Sequence, residues 1–224
     1  MGAALQGVST PAVLSASSRF RNFKPEHEQN IRVSKVESNP VVEKMKKVWA
    51  ECGFFSYSIG WQKSCNRIFE KISGIECSAE DIKTFCVVLV QFQDEEEFAT
   101  KTGLFLSALI NNSKDAEFVI YTTHFIEPIH YLGHCNTKNI TVEGDGGYAI
   151  GNEMKSGSIT VKGDAGDFVG NAMEDGIISV EGNSGKQVGI AMTGGEIHLH
   201  KNGDISGHAR NGRIFRREEQ IFPK

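Results

Sequence analysis

Cysteine, proline and tryptophan are scarce in this chain: 5, 5 and 2 among 224 residues. Cys52, Cys65, Cys77, Cys86 and Cys135 form no CxxC pair, their number is odd and their spacing irregular. That excludes a zinc-ribbon pattern and a disulfide framework, so reduced thiols are expected. No apolar run approaches the roughly 18–20 residues of a membrane span, and no membrane-spanning segment is expected. Neither sign of charge dominates. With 24 Lys and Arg against 28 Asp and Glu the formal net charge is −4, which disfavours a nucleic-acid partner. No secretion signal is evident, so a cytoplasmic location is expected. Residues 1–24 carry Arg19, Arg21 and Lys24 and no acid, a composition that faintly resembles an organelle transit peptide; an ordinary flexible terminus accounts for it more simply. Met1-Gly2 fits a myristoylation start, but Gln6 stands where that pattern wants Ser or Thr.

Glycine, in contrast, is plentiful and ordered. From Gly144 to His200 the chain repeats three times with a period of 19: GDGGYAIGNEMKSGSITVK, GDAGDFVGNAMEDGIISVE and GNSGKQVGIAMTGGEIHLH. Four glycine columns stay in register, Gly144/Gly163/Gly182, Gly147/Gly166/Gly185, Gly151/Gly170/Gly189 and Gly157/Gly176/Gly195, as does Met154/Met173/Met192. Glycine is expected in these columns where the chain turns with positive φ or where the next coil comes close. Glycines this frequent would each cost a helix about 0.5–1 kcal/mol relative to Ala. Between them lie short alternating runs, Ser158–Val161 and Ile177–Val180, which read as strands. A fixed short period of strands and turns predicts a solenoid, here a right-handed parallel β-helix of about 19-residue coils with equivalent residues about 4.8 Å apart. The methionines, Ile150/Val169/Val188, Ile159/Ile178/Ile197 and Val161/Val180/Leu199 are expected to point inward as ladders. Asp145/Asp164/Asn183 are placed to bond turn backbone, and Asn152/Asn171 to form a short amide ladder that Ile190 ends. Tyr131-Leu132-Gly133 with Asn139–Glu143 upstream, and Gly203, Gly207 and Gly212–Phe215 downstream, read as imperfect outer coils.

The pattern G-D/N-x-G-x-x-x-G-x-x-M-x-x-G-x-I-x-V resembles the glycine-repeat (GXGXG) family, over about residues 125–216. That family includes the closing domain of the glutamate synthase large subunit and the C subunit of formylmethanofuran dehydrogenase. The resemblance implies a parallel β-helix without catalytic residues that holds other domains or subunits in place. The preceding residues resemble neither parent.

Residues 1–38 are polar, weakly periodic and read as a flexible arm. Residues 39–124 read as a small α/β capping segment, 125–216 as the β-helix and 217–224 as a tail. Asn39-Pro40 caps a helix whose Val41, Val42, Met45, Val48 and Trp49 fall on one face and which ends near Gly53. Cys65–Ile72 is a second helix. Ser78 opens a capping-box-like start. Phe85–Val90, short and β-branched, reads as a strand, with continuation of the Ser78 helix as the alternative. Asp94 and Glu95–Glu97 read as an acidic first turn of a helix running to Asn112, and Phe118–Tyr121 as a strand.

Few residues invite chemistry. Gly182–Gln187 looks like a phosphate loop, but its spacing is wrong and Gln187 replaces the Ser or Thr that would hold magnesium. Gly144–Gly147 lacks the helix a dinucleotide fingerprint needs. His198 and His200 flank Leu199 on one strand, facing outward on the same side, and are the weak metal candidate; zinc needs three or four convergent ligands. His130 and His134 have i, i+4 spacing, but Pro128 and Gly133 argue against a helix there. Cys135 beside His134 has the form of a nucleophile pair; counted back by the period it falls in the methionine column of an entry coil. Arg210, Arg213, Arg216 and Arg217 form a local basic cluster next to Glu218 and Glu219. No catalytic residue and no cofactor is expected. The reading is a non-catalytic scaffold or assembly subunit, with a protein partner or a second copy of itself; the alternatives are an accessory subunit of a split glutamate synthase-like or formylmethanofuran dehydrogenase-like enzyme, and a weak metal-binding module.

Overall fold

The repeat winds as its columns require. The structure, a computed structural model, describes residues 39–52, 61–205 and 209–223. The expected arm at 1–38, Gly53, Gly207, His208 and Lys224 lie outside the described residues. Seven strands form one sheet in sequence order: β1 Glu117–Tyr121, β2 Asn139–Glu143, β3 Ser158–Val161, β4 Ile177–Val180, β5 Glu196–Leu199, β6 Arg213–Arg216 and β7 Glu219–Phe222. β1 to β6 pair in parallel, one strand per coil, giving a β-solenoid of about five turns. The register advances by 19 residues in the middle coils, from Asn139 to Ser158 for example. The first coil takes 22, Glu117 to Asn139, and the last 17, Glu196 to Arg213. The outer coils are the irregular ones, as expected of solenoid ends.

Inward positions stack on their own kind. Met154, Met173 and Met192 are fully buried, as are Ile159, Ile178 and Ile197. The glycine columns answer two separate demands. Gly151, Gly170 and Gly189 have φ of 70°, 66° and 69°, and above each lies an isoleucine of the next coil: a Cβ on Gly170 would stand 2.5 Å from Ile197 Cδ1. Gly157, Gly176 and Gly195 likewise have positive φ, and Gly176 and Gly195 receive a methionine methyl, Met154 Cε against Gly176. Each large side chain thus fills the space a missing Cβ leaves in a neighbouring coil. Gly147, Gly166 and Gly185 do not have left-handed φ; Gly166 and Gly185 sit against the backbone of the coil before, where a Cβ on Gly166 would meet Gly147 C at 2.9 Å.

The column Gly144/Gly163/Gly182 is uniform in sequence but not in conformation. Gly144 is left-handed, with φ 127°, whereas Gly163 and Gly182 are not, so a positive-φ turn does not explain glycine at those two positions. Close approach explains them. A Cβ on Gly163 would overlap Asp145 Oδ1 and stand 2.8 Å from Gly144 C, and one on Gly182 would overlap Asp164 Oδ1. The carboxylate that ties each coil to the next occupies the space beside the glycine, and Gly163 N itself donates to Gly144 O at 2.9 Å.

Polar columns bind the coils from outside. Asp145 Oδ1 accepts from Asp164 N (2.8 Å) and Asp164 Oδ1 from Asn183 N (2.7 Å), so these side chains tie one coil to the next and not their own turns. Asn171 Nδ2 donates to Asn152 Oδ1 at 2.6 Å, the expected amide step. Lys162 pairs with Glu181 at 2.5 Å, and Lys155 with Glu174.

Helices close the first end. α1 (Pro40–Glu51) is capped by Asn39 Oδ1, which accepts from Val41 N, and α2 spans Trp61–Ile72. Ser78 and Asp81 make the reciprocal box that starts α3, Ala79–Leu89. Phe85–Leu89 is therefore helix, not strand. Ile82, Phe85, Cys86 and Leu89 are buried at helical spacing while Val87 is 67% exposed, so the period is that of a helix. Val90 lies beyond it in a 3₁₀ turn. α4 runs Phe98–Asn112 and starts later than its acidic prelude implied. Glu97 is left-handed (φ 58°), and Glu95 is turned to take Lys101 Nζ at 2.9 Å and Trp49 Nε1 at 3.4 Å. Among its described residues the segment is thus helical, and the one strand there, β1, belongs to the solenoid sheet. α4 is buried on all sides from Phe98 to Ile110, its polar Thr100, Lys101, Thr102 and Ser107 included. It lies against the first coil: a Cβ on Gly103 would overlap the His130 carbonyl, Gly133 N donates to Ser107 Oγ (2.8 Å) and Asn111 Nδ2 to His134 O (3.1 Å). Helices and coils share one continuous hydrophobic cluster. At the far end β7 folds back antiparallel on β6.

The interlock is testable by urea unfolding. Gly170→Ala combines a left-handed residue, about 1–2 kcal/mol, with overpacking of about 1–3 kcal/mol. Met173→Ala opens a cavity worth about 2–5 kcal/mol. A loss below about 0.5 kcal/mol for both, the range of ordinary surface substitutions, would contradict the stacking described.

Candidate functional site

The entry coil departs from the repeat where it meets α2 and α4. Tyr131, Gly133 and Cys135 have φ of 59°, 80° and 53°, matching Ala149, Gly151 and Glu153 at 55°, 70° and 55°. This alternation rules out a helix through His130 and His134. It also turns amides toward the next coil: Cys135 N donates to Asn152 O (2.9 Å), Glu153 N to Asn171 O (2.8 Å) and Ala172 N to Ile190 O (2.8 Å). Cys135 therefore stands over Glu153, Ala172 and Ala191, and not in the methionine column. Asn136 heads that column, its backbone carbonyl accepting from Lys155 N as Met154 O does from Glu174 N. The entry coil is one residue shorter between the column and its strand, so counting back by the period misplaces the cysteine. Asn136 is fully buried because its side chain serves the tightened turn: Nδ2 donates to Lys138 O (2.6 Å) and Oδ1 accepts from Lys138 N (3.2 Å).

His134 heads the amide column. Its Nδ1 lies 3.0 Å from Asn152 Nδ2 and 3.2 Å from Asn152 O, and its Nε2 is 3.5 Å from Cys135 Sγ. Cys135 Sγ is in turn 4.0 Å from Glu153 Oε2. One donor atom from each of His134, Cys135 and Glu153 falls within 4.8 Å of the others. His134 is 2% exposed, and the Phe69 ring of α2 meets it edge-on at 6.0 Å. Cys135 and Glu153 are half-buried. Burial pushes the His134 imidazole below its ordinary range, with Glu153 opposing. Burial, with Glu153 adding, pushes the Cys135 thiol up. Cys65 on α2 is pushed up by burial to about 12, with the charges of Cys135 and Glu153 contributing. A nucleophilic cysteine needs the opposite environment, one that favours thiolate. A sulfur, an imidazole nitrogen and a carboxylate are, however, the donor types of a zinc-class ion.

The other candidates disperse. His198 Nε2 lies 3.0 Å from Glu196 Oε2 and its ring stacks on Phe215 at 4.7 Å, while His200 Nε2 lies 3.1 Å from Ser179 Oγ. Among the described residues the converging metal-capable trio is the one shared by the entry coil and the coil after it. In the loop resembling a phosphate cradle, the amides of Gly182 to Lys186 each donate to a neighbouring coil, Lys186 N to Asp167 Oδ1 at 2.6 Å. Arg213 pairs with Glu196, Arg216 donates to Gly203 O and Arg217 approaches Asn202. A cleft of about 510 Å³ beside the start of α4 is walled by Asp94, Glu95, Glu97, Glu127 and His130. Asn152 was missed as a site residue because it read only as a step of the amide ladder, and Glu153 because its column repeats no chemistry; the adjacent pair His134-Cys135 was the signal.

No protein-family model, curated protein or solved structure matches the chain. No described helix is long and apolar enough to cross a membrane.

The buried imidazole sets a pH dependence. Burial makes His134 harder to protonate in the fold than in the unfolded chain, where it titrates near its ordinary 6.5. Below that value the unfolded state binds more protons, so stability falls as pH drops from about 7 toward 5. His130, also lowered by burial, acts in the same direction. In metal-free buffer His134→Asn, which continues the amide column, is expected to shrink the fall in urea midpoint over that range. An undiminished fall would remove His134 from the account.

Proposed function

We propose that this protein is a non-catalytic scaffold whose sheet face docks a protein surface, in the first instance a second copy of itself. One observation carries the reading, the chemistry of the outward rows. The in-register strands hold Glu117, Asn139, Ser158, Ile177, Glu196 and Arg213 in one row and Val119, Thr141, Thr160, Ser179, His198 and Phe215 in the next. Val119, Tyr121 and Ile177 are 41%, 43% and 46% exposed on this face. The first row has an acid at β1 and a base at β6, where Arg213 also pairs with Glu196 of the neighbouring strand. A two-fold axis parallel to the strands, between β3 and β4, lays β1 of one copy over β6 of the other. Glu117 then faces Arg213, Val119 faces Phe215, Thr160 faces Ser179, and Lys162 faces Glu181. An isologous contact needs this self-complementarity.

The interlocked coils favour such a role, because a face that does not flex loses little entropy on docking. The glycine-repeat resemblance supports the same role in another setting, an accessory subunit held against a larger amidotransferase-like chain. Light scattering after size exclusion separates the two. Self-association gives twice the 24.6 kDa of one chain. Thr160→Arg with Ser179→Arg, at the centre of the face, is expected to return the protein to a single chain with stability changed by no more than about 0.5 kcal/mol. Glu117→Arg weakens the dimer and Arg213→Glu in the same chain restores it. A wild-type chain that stays single at every concentration ends the self-docking reading.

A further inference from the structure

We propose that His134, Cys135 and Glu153 form a three-ligand site for a zinc-class divalent cation at the junction of α2 and the entry coil. The donors come from two stacked coils. Cys135 and Glu153 occupy one column and His134 begins the column beside it, so the stacking that builds the solenoid brings them together. Below them the same columns run Ala172, Ala191 and Asn171, Ile190, so the donor set is confined to the first two coils.

The spacing suits a tetrahedral ion. Zinc–sulfur and zinc–nitrogen bonds of about 2.3 and 2.0–2.1 Å at a tetrahedral angle set the two ligand atoms about 3.5 Å apart. Sγ and Nε2 stand at 3.5 Å. The carboxylate, at 4.0 Å from the sulfur, is on a half-buried side chain whose other oxygen accepts from Asn152 Nδ2 at 3.4 Å, and rotation about its side-chain bonds closes the remainder. The far side of the imidazole meets Asn152 twice, its Nδ2 at 3.0 Å and its carbonyl at 3.2 Å, and Asn152 is itself held by Asn171. Metal binding selects the tautomer in which Nδ1–H donates to the carbonyl, leaving the Nε2 lone pair toward the cysteine, over the one in which Nδ1 accepts from Nδ2. A second hydrogen bond of this kind is what fixes a metal-ligating histidine. Thiolate and carboxylate together balance a dication, and the fourth position is left to water or an added ligand.

The test uses the full chain without a histidine tag, reduced and stripped with chelator. One equivalent of Co²⁺ is expected to produce a thiolate-to-cobalt charge-transfer band with the visible spectrum of a four-coordinate ion, and one equivalent of Zn²⁺ to abolish both. Cys135→Ser loses the charge-transfer band. Glu153→Gln, a near-isosteric change at a half-buried position, and His134→Asn weaken Zn²⁺ binding at least about tenfold with circular dichroism unchanged. Cys77→Ser, at a distant thiol, leaves the titration as in wild type. Failure of the folded wild type to take up one equivalent overturns the site. So does a charge-transfer band that survives Cys135→Ser, or Zn²⁺ affinity unchanged in Glu153→Gln.

Discussion

Adjacent coils lie one strand spacing apart, about 4.8 Å, and every side chain of the solenoid is chosen under that limit. Where a Cβ would point along the stack into the neighbouring coil, only hydrogen fits, which is why Gly163, Gly166 and Gly185 lie against the coil before. The same closeness turns the remaining glycines into sockets. Ile178 and Ile197 fill the space over Gly151 and Gly170, and Met154 and Met173 fill that under Gly176 and Gly195. Packing here is not a pool of interchangeable apolar groups. It is a chain of paired knobs and gaps, each coil supplying one half to its neighbour. The pairing fixes register, and register makes the outer face straight enough to carry ordered rows.

A stack of this kind has two ends, and each is closed by a different device. An open coil exposes a row of backbone donors and acceptors. At the start, α4 uses Ser107 and Asn111 to meet the backbone at Gly133 and His134. Its own charge, Lys101, is only 4% exposed and survives burial because Glu95 pairs with it and the Trp49 ring lies 4.2 Å beneath the ammonium. At the finish, β7 takes the edge of β6 and reverses direction, so the next parallel strand has no edge to join there.

How much of this could be read from residues alone follows from where the constraint was periodic. The stacked columns were legible in their membership, because each position is repeated and its neighbours are copies of itself. Which demand a glycine column meets was not: Gly144 and Gly163 look alike in sequence, yet one is left-handed and the other is held small by Asp145 of the coil before. The non-repeating cap was legible only through local chemistry: Asn39 and Ser78 announced their helices, since a cap is a contact within four residues. Phe85–Leu89 misled, because β-branched and aromatic residues so close together outweigh a burial pattern that only the packed structure displays. The start of α4 misled because Glu95 is claimed by Lys101 and Trp49, the latter 46 residues away. Cys135 was displaced by one column because one residue is missing where the entry coil turns into β2, and a strict count cannot see a deletion compensated by Asn136.

The same logic gives departures from a column their meaning. Where each residue is set by the one above it, a change of type needs its own cause. Ile190 has one: the amide column ends there and the position turns apolar. Asn136 has one, in the shortened turn. His134, Cys135 and Glu153 have no such account from packing, since the equivalent positions in later coils hold small or neutral residues and the stack continues. Burying an imidazole and crowding a thiol against a carboxylate both work against the metal-free fold. The proposed cation, held by all three, would reverse the sign of that penalty and clamp the first two coils together.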